Sequence, residues 1–387
     1  MLTTLALLPS FGFGDRLGLA TAGHIAAVKD TKFAPIFAQQ SVRENARTGR
    51  TPQQVLDDAK RAVDAAGWEA PWGADADHLK TVDDLPAFVQ AGYTFFTVDP
   101  GAYVDNGADT ESIPILLEKA RKQNWDEVSA LYLSQNGDIG FGEFDPGTLA
   151  RAVVKYGRAI QQIVGMYRRL AELKESFDFE VSVDETDSPT TALEHYFIAS
   201  ELNRLGVRFT SLAPRFIGRF EKGVDYIGDL SALDAELARH AAVTAHFGTY
   251  KLSLHSGSDK FSVYPLIVKH WGSRLHVKTA GTSYLEGLRV LAVTNPALFQ
   301  RIWALGLERY PTDRASYHVS ADVNKVPGGI ELPALLDDFN AREILHVTFG
   351  SALIQFGTEI KAELVKHSDK YNANLLKHFR KHLDLLK

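Results

Sequence analysis

The sequence predicts an α/β fold, a TIM-type (β/α)8 barrel with helical insertions, on three observations. Strand-like and helix-like segments alternate through most of the chain, the pattern of a parallel sheet with its helices outside. The strand candidates number about what an eight-stranded barrel needs, with one left over as a cap or edge. Several of these strands carry apolar side chains on one face and titratable ones on the other. A doubly wound sheet is the second choice. There is no internal repeat, low-complexity stretch or Gly/Ser/Pro linker, so residues 1–387 read as one barrel domain with a C-terminal helical segment from about 351.

The elements follow in order. Residues 5–13 read as a buried strand ending in Gly12-Phe-Gly-Asp-Arg16. Its glycines lack the G-x-G-x-x-G spacing of a dinucleotide loop. A turn there would bring Arg16 near an anionic ligand. Residues 33–37 form a second strand candidate. Thr51-Pro52 opens a helix that closes at Gly67, with Pro in the first turn and Gly past the end. Residues 93–98 are an aromatic, β-branched strand. A long helix starts near Asp145-Pro146, with Ile160, Ile163 and Leu170 at helical spacing. Strands are expected at 177–183, 207–212, 250–255 and 274–278. Helices between them start at Ser188-Pro189, at Ser231 and around Tyr264. Ser283 and Glu286 have capping-box spacing. Two more strand candidates, 316–320 and 344–348, precede a basic, solvated C-terminal helix.

Facing is the informative feature, because strand side chains alternate. Phe179, Val181 and Val183 oppose Glu180, Ser182 and Asp184. Leu252 and Leu254 oppose Ser253 and His255. Leu275 and Val277 oppose His276 and Lys278. Tyr317 and Val319 oppose His318 and Ser320, and Leu345 and Val347 oppose His346 and Thr348. With the apolar faces against the helices, the polar faces line the barrel. Asp184, His255, Lys278 and His318 then converge at the carboxyl ends of the strands, where barrel active sites lie. Glu185 follows just past its strand end. A lone strand-end histidine is more often structural than a ligand. Several imidazoles and carboxylates at one rim are costly to desolvate without an ion or substrate. Two imidazoles and a carboxylate suit a divalent Zn, Mn, Ni or Co ion. On this reading Glu185, His255 and His318 bind the metal. Asp184 is the base, and Lys278 the acid or oxyanion partner. Arg16, Ser256 and Asp259 hold substrate oxygens. His240 and His246 lie among hydrophobic neighbours on a helix and read as structural.

Composition narrows the class. Of 387 residues, 45% are apolar and 23% charged, as in ordinary globular proteins. The net charge of −6 argues against a nucleic-acid partner, which needs a basic face. With no cysteine, disulfides, thiolate zinc sites and cysteine nucleophiles are excluded, and a reducing cytoplasm fits. No run reaches the length of a membrane span, and the apolar start lacks the basic flank of a signal peptide. The expected partner is a sugar or sugar acid. A homo-oligomer is left open.

The motifs FGFGDRLGLAT, VSVDETDSPT, SLHSGSDKFS, VKTAGTSYLE and LHVTFGS together resemble the tagaturonate epimerase family, from residue 11 to about 351. The resemblance implies a barrel enzyme that uses a divalent metal to interconvert tagaturonate and fructuronate. Some relatives also epimerise tagatose and fructose at carbon 4. The matching positions are Asp184, Glu185 and His255, whereas His318 rests on facing alone. A metal-dependent ketose–aldose isomerase or aldolase on the same barrel is the alternative enzyme, and a sugar sensor the non-enzymatic one.

Overall fold

The computed structural model describes residues 1–134 and 141–387, with the side chain of Ser316 left aside. Eight parallel strands close into a barrel in sequence order: β1 (Ser10–Phe13), β2 (Ala34–Ser41), β3 (Gly73–Leu79), β4 (Phe95–Val98), β5 (Asp178–Ser182), β6 (Ser211–Ala213), β7 (Lys251–Leu254) and β8 (Leu275–Thr279). The ring closes where β1 pairs with β8, Gly12 opposite Lys278. Gly12 faces the interior at a close approach, since a Cβ there would meet Gln39 Oε1 at 1.6 Å. The first glycine of FGFG is therefore a packing residue of the barrel.

Local signals account for the helix starts. Thr51 and Gln54 form a capping box ahead of Pro52–Ala65, satisfying otherwise orphaned amide donors. Asp145 caps the long helix Pro146–Leu173, whose buried Ile160, Ile163 and Leu170 face the barrel wall.

The helix expected to open at Ser188-Pro189 starts at Ala192 under a Thr191 cap, and the one expected at Ser231 is capped by Asp229; four further expectations need correction. Residues 316–320 are not a strand but a 3-10 turn, Arg314–Ser316, followed by irregular chain. Residues 344–348 belong to the end of a helix, Phe339–Val347. Short apolar runs do not distinguish the two periods, and here nine helical residues carry the run. Ser283 lies within the helix Thr282–Thr294 rather than capping it, and its hydroxyl donates to Gly14 O. The C-terminal helix Ser368–Leu385 is more than a solvated face, because Tyr371, Leu375, Phe379, His382 and Leu383 are buried. The strand absent from the expectations is β3. Its sequence, GADADHL, is poor in the β-branched and aromatic residues that mark strands.

Candidate active site

The barrel interior is polar at its carboxyl end because β3, β4, β5 and β8 turn the same kind of face inward. Lys278 Nζ lies 2.6 Å from Asp75 Oδ2, 2.7 Å from Asp77 Oδ1 and 2.9 Å from Glu180 Oε1, and donates to Thr97 Oγ1. Glu180 Oε1 in turn accepts from His255 Nε2 at 2.7 Å. The other ring nitrogen of His255 is 3.2 Å from Asp184 Oδ1, which also accepts the Ser182 hydroxyl. β5 therefore presents Glu180, Ser182 and Asp184 as three successive rungs on one face, the outermost just past the strand's last residue.

β3 contributes by breaking its own alternation. Ala74 and Ala76 are buried in the wall while Asp75 and Asp77 reach Lys278. The pairing with β4 shifts register between Ala76 and Leu79, and His78 has φ +52°. Such a bulge re-aims a side chain. The imidazole of His78 meets that of His255 edge-on, with ring centroids 5.0 Å apart.

Charge follows these contacts. Burial would depress the Lys278 ammonium, but Asp75, Asp77 and Glu180 hold it well above the lysine range. Burial pushes the Asp75 carboxyl up to about 7, against the pull of Lys278. Burial of Asp184 is outweighed by His255, so its carboxyl lies far below the usual range. For His255 burial is likewise overcome, first by Asp184, and its pKa rises. For His78 the neighbouring Asp77 and Asp99 outweigh burial and lift it to about 10.

Stripped of protons, these imidazoles have the donor atoms a metal ion takes. His78, Asp184 and His255 can offer donor atoms that all lie within 4.8 Å of one another, and His78, Asp99 and Glu185 form a second such group. His78 Nδ1 lies 3.6 Å from Asp99 Oδ2, and the Lys80 ammonium is 3.3 Å from the same oxygen. Two imidazoles and a carboxylate with room for substrate oxygens fit a borderline divalent ion.

A cleft of about 230 Å³ opens over this group. Asp184, Glu185, His255, Ser256 and His318 all line it, and Lys278 lies below, in an inner cavity it shares with His78 and Lys222. Exposed His318 reaches the cleft from irregular chain, and among the described residues no metal-capable group unites it with Glu185 and His255. Arg16 does not line the cleft. It is buried against Glu44 at 2.9 Å and over the Phe349 ring. Asp259 also lies elsewhere, accepting from Arg342 at 2.9 Å and His378 at 2.6 Å. His276 sits deeper in the barrel on Ser10, and His346 donates to Ala280 O. His240 is buried against His195.

Residues unmarked in the sequence reading complete the cleft. Arg215 and Lys222 line it from the loop after β6, and among the described residues neither has a carboxylate within ion-pair distance. Arg43 approaches Glu185 at 3.6 Å. The alternation of Ala and Asp in β3 was the available signal for Asp75 and Asp77; none marked His78.

The comparisons agree with one another. The family model described as tagaturonate epimerase matches residues 3–386. A curated relative from Thermotoga maritima, "Tagaturonate/fructuronate epimerase", is 45% identical over 98% of this chain and 81% of its own length. The crystal structure of the fructuronate-tagaturonate epimerase of Cohnella laeviribosi in a one-glycerol complex superposes with TM-score 0.96 at 39% identity, covering all of this chain and 83% of that one. Its native form gives a TM-score of 0.95. With a barrel, a carboxyl-end cleft and a family match spanning nearly its whole length, this chain belongs to the tagaturonate epimerase family of isomerases.

Proposed function

We propose that this protein is a divalent-metal-dependent epimerase that interconverts D-tagaturonate and D-fructuronate, and that it also turns over D-tagatose and D-fructose at carbon 4. The observation that carries the uronate reading is the pair Arg215 and Lys222, cations without carboxylate partners among the described residues, beside the His78, Asp184 and His255 group. A substrate carboxylate supplies what they lack.

Carbon 4 of a 2-ketose is β to the ketone, so its hydrogen is not acidified directly. Retro-aldol cleavage between carbons 3 and 4, rotation of the aldehyde and re-addition would invert it. His78, Asp184 and His255 would hold the ion, which when bound supplies Lewis acidity toward substrate oxygens. This division makes Asp184 a ligand and leaves Glu185, which lines the cleft beside Arg43, to take and return the carbon-4 hydroxyl proton. Lys278, held by three carboxylates, is a poor proton donor. Its fixed charge orients Glu180, and Glu180 orients His255. Arg215 and Lys222 fix the carboxylate end, and Ser256 holds Lys222 at 2.7 Å. A cytoplasmic setting suits the cysteine-free composition.

The test is NMR of products from D-tagaturonate and D-tagatose, using chelator-treated protein with Zn, Mn, Ni or Co restored singly. The expected outcome is the carbon-4 epimer, formed only with metal and faster from the uronate. An aldose product, accumulation of three-carbon fragments, or turnover indifferent to chelation would overturn the reading.

A further inference from the structure

Lys260 is the most completely enclosed cation near the cleft, with no exposed surface. Among the described residues it has no carboxylate within ion-pair distance. Its ammonium instead donates to three main-chain carbonyls: Glu221 O at 2.7 Å, Val224 O, and Ser258 O at 3.1 Å. Three donors meet three acceptors, so the group is satisfied. Burial still pulls its pKa down to about 8, against the weaker influence of Asp259. A buried charge of this kind is a costly way to fill space that a methionine would fill. Its return is geometric, because an ammonium ties together carbonyls that would otherwise repel.

Those carbonyls belong to two segments that both reach the substrate cleft. Glu221 and Val224 bracket Lys222, and Ser258 follows Ser256 by two residues. Between the bracketing carbonyls, Gly223 O accepts from Arg342 Nε at 2.6 Å. Gly223 has φ +74°, and a Cβ there would meet the His346 ring at 3.1 Å. The turn 221–224 is thus gripped through its main chain from beneath, while the Lys222 side chain reaches the Ser256 hydroxyl and lines both the cleft and the inner cavity.

We infer that Lys260 is a positioning residue for substrate binding: its ammonium locks the 221–224 turn to the Ser256–Lys260 loop, and so holds Lys222 where a substrate carboxylate is received. The inference rests on the reading of Lys222 given above. It is tested by steady-state kinetics on D-tagaturonate with the metal-loaded full chain, for wild type, K260M, K222M and the double variant. K260M is expected to raise KM about five- to tenfold with kcat within about twofold, a loss of uniform binding. In the K222M background the same change should leave KM within about twofold, because the two residues act as one unit. Should K260M fail to fold, K260Q, which keeps a donor, is expected to shift KM in the same direction by about threefold. An unchanged KM in K260M, or in K260Q where that variant stands in for it, overturns the inference. So does a KM effect that persists in full without Lys222, leaving the reading of Lys222 intact. If K222M alone leaves the uronate KM unchanged, the carboxylate reading falls and this inference falls with it.

Discussion

The two ends of the barrel are both lined by polar side chains, yet they do different work. At the amino end, Lys251 Nζ donates to Leu8 O and Ser10 Oγ, each at 2.8 Å. His276 Nδ1 pairs with Ser10 Oγ at 2.9 Å, and Asp178 accepts the amides of Leu5 and Ala6. The N-terminal segment runs across this end and supplies main-chain partners. At the carboxyl end, imidazoles and carboxylates face one another and a cleft. The same contrast appears between His276 and His255, both facing inward. Burial leaves His276 depressed to about 3, whereas for His255 burial is outweighed by Asp184 and the pKa rises. Inward facing does not by itself identify a catalytic residue. The partners do: neutral main-chain groups and a serine hydroxyl at the closed floor, opposed charges at the open mouth.

This contrast can be broken from either end. The largest effect is expected at the mouth. H255A and H78N should each lower kcat on D-tagaturonate by about 10³-fold and lose bound metal by elemental analysis, with an unchanged far-UV circular dichroism spectrum. Full metal content with full activity in either would dissolve the ligand assignment. At the floor, K251A should cost about 3 kcal/mol in urea unfolding, through a cavity and orphaned Leu8 and Ser10 acceptors, while activity per folded molecule stays level. A kcat loss there would erase the distinction.

A smaller effect separates charge at the rim from charge in the site. Glu221 and Glu343 both accept from Ser320 N. Burial first, and Glu221 second, push the Glu343 carboxyl up to about 8. The folded state therefore retains a proton that the unfolded chain releases near pH 4.5. This contribution is full below that value and is lost as pH rises toward 8. E343Q should flatten the decline by about 1 kcal/mol between pH 5 and pH 8, read from urea midpoints at the two values. Parallel declines in both proteins would assign the slope elsewhere. The smallest effect is expected for H318A, which should keep its metal and change KM by about threefold or less. Metal loss in H318A would restore it as a ligand.

Much of the architecture was legible because parallel strands buried on one side and polar within leave a two-residue rhythm. Glu180, Asp184, His255 and Lys278 all follow it. His78 does not, and for a physical reason: a bulge and a left-handed φ turn it against the rhythm of a strand made of Gly, Ala and Asp. His318 followed the rhythm in sequence without a strand to enforce it. Arg16 and Asp259 are polar residues beside strand ends, as substrate ligands would be. Their partners, Glu44, Arg342 and His378, come from helices whose approach no local pattern encodes. The loop after β6, which carries Arg215 and Lys222, has no periodicity to read.

The anchoring of Asp259 has a consequence for the order in which the molecule can be completed. Its main-chain amide donates to His382 Nε2 at 3.0 Å, and its carboxylate accepts from His378. Both histidines lie in the last helix, more than a hundred residues downstream. During synthesis the strands emerge well before these partners exist. The loop that carries Ser256 to the mouth therefore gains this support only once the helix Ser368–Leu385 docks, so that competence for substrate comes later than pairing of the barrel strands.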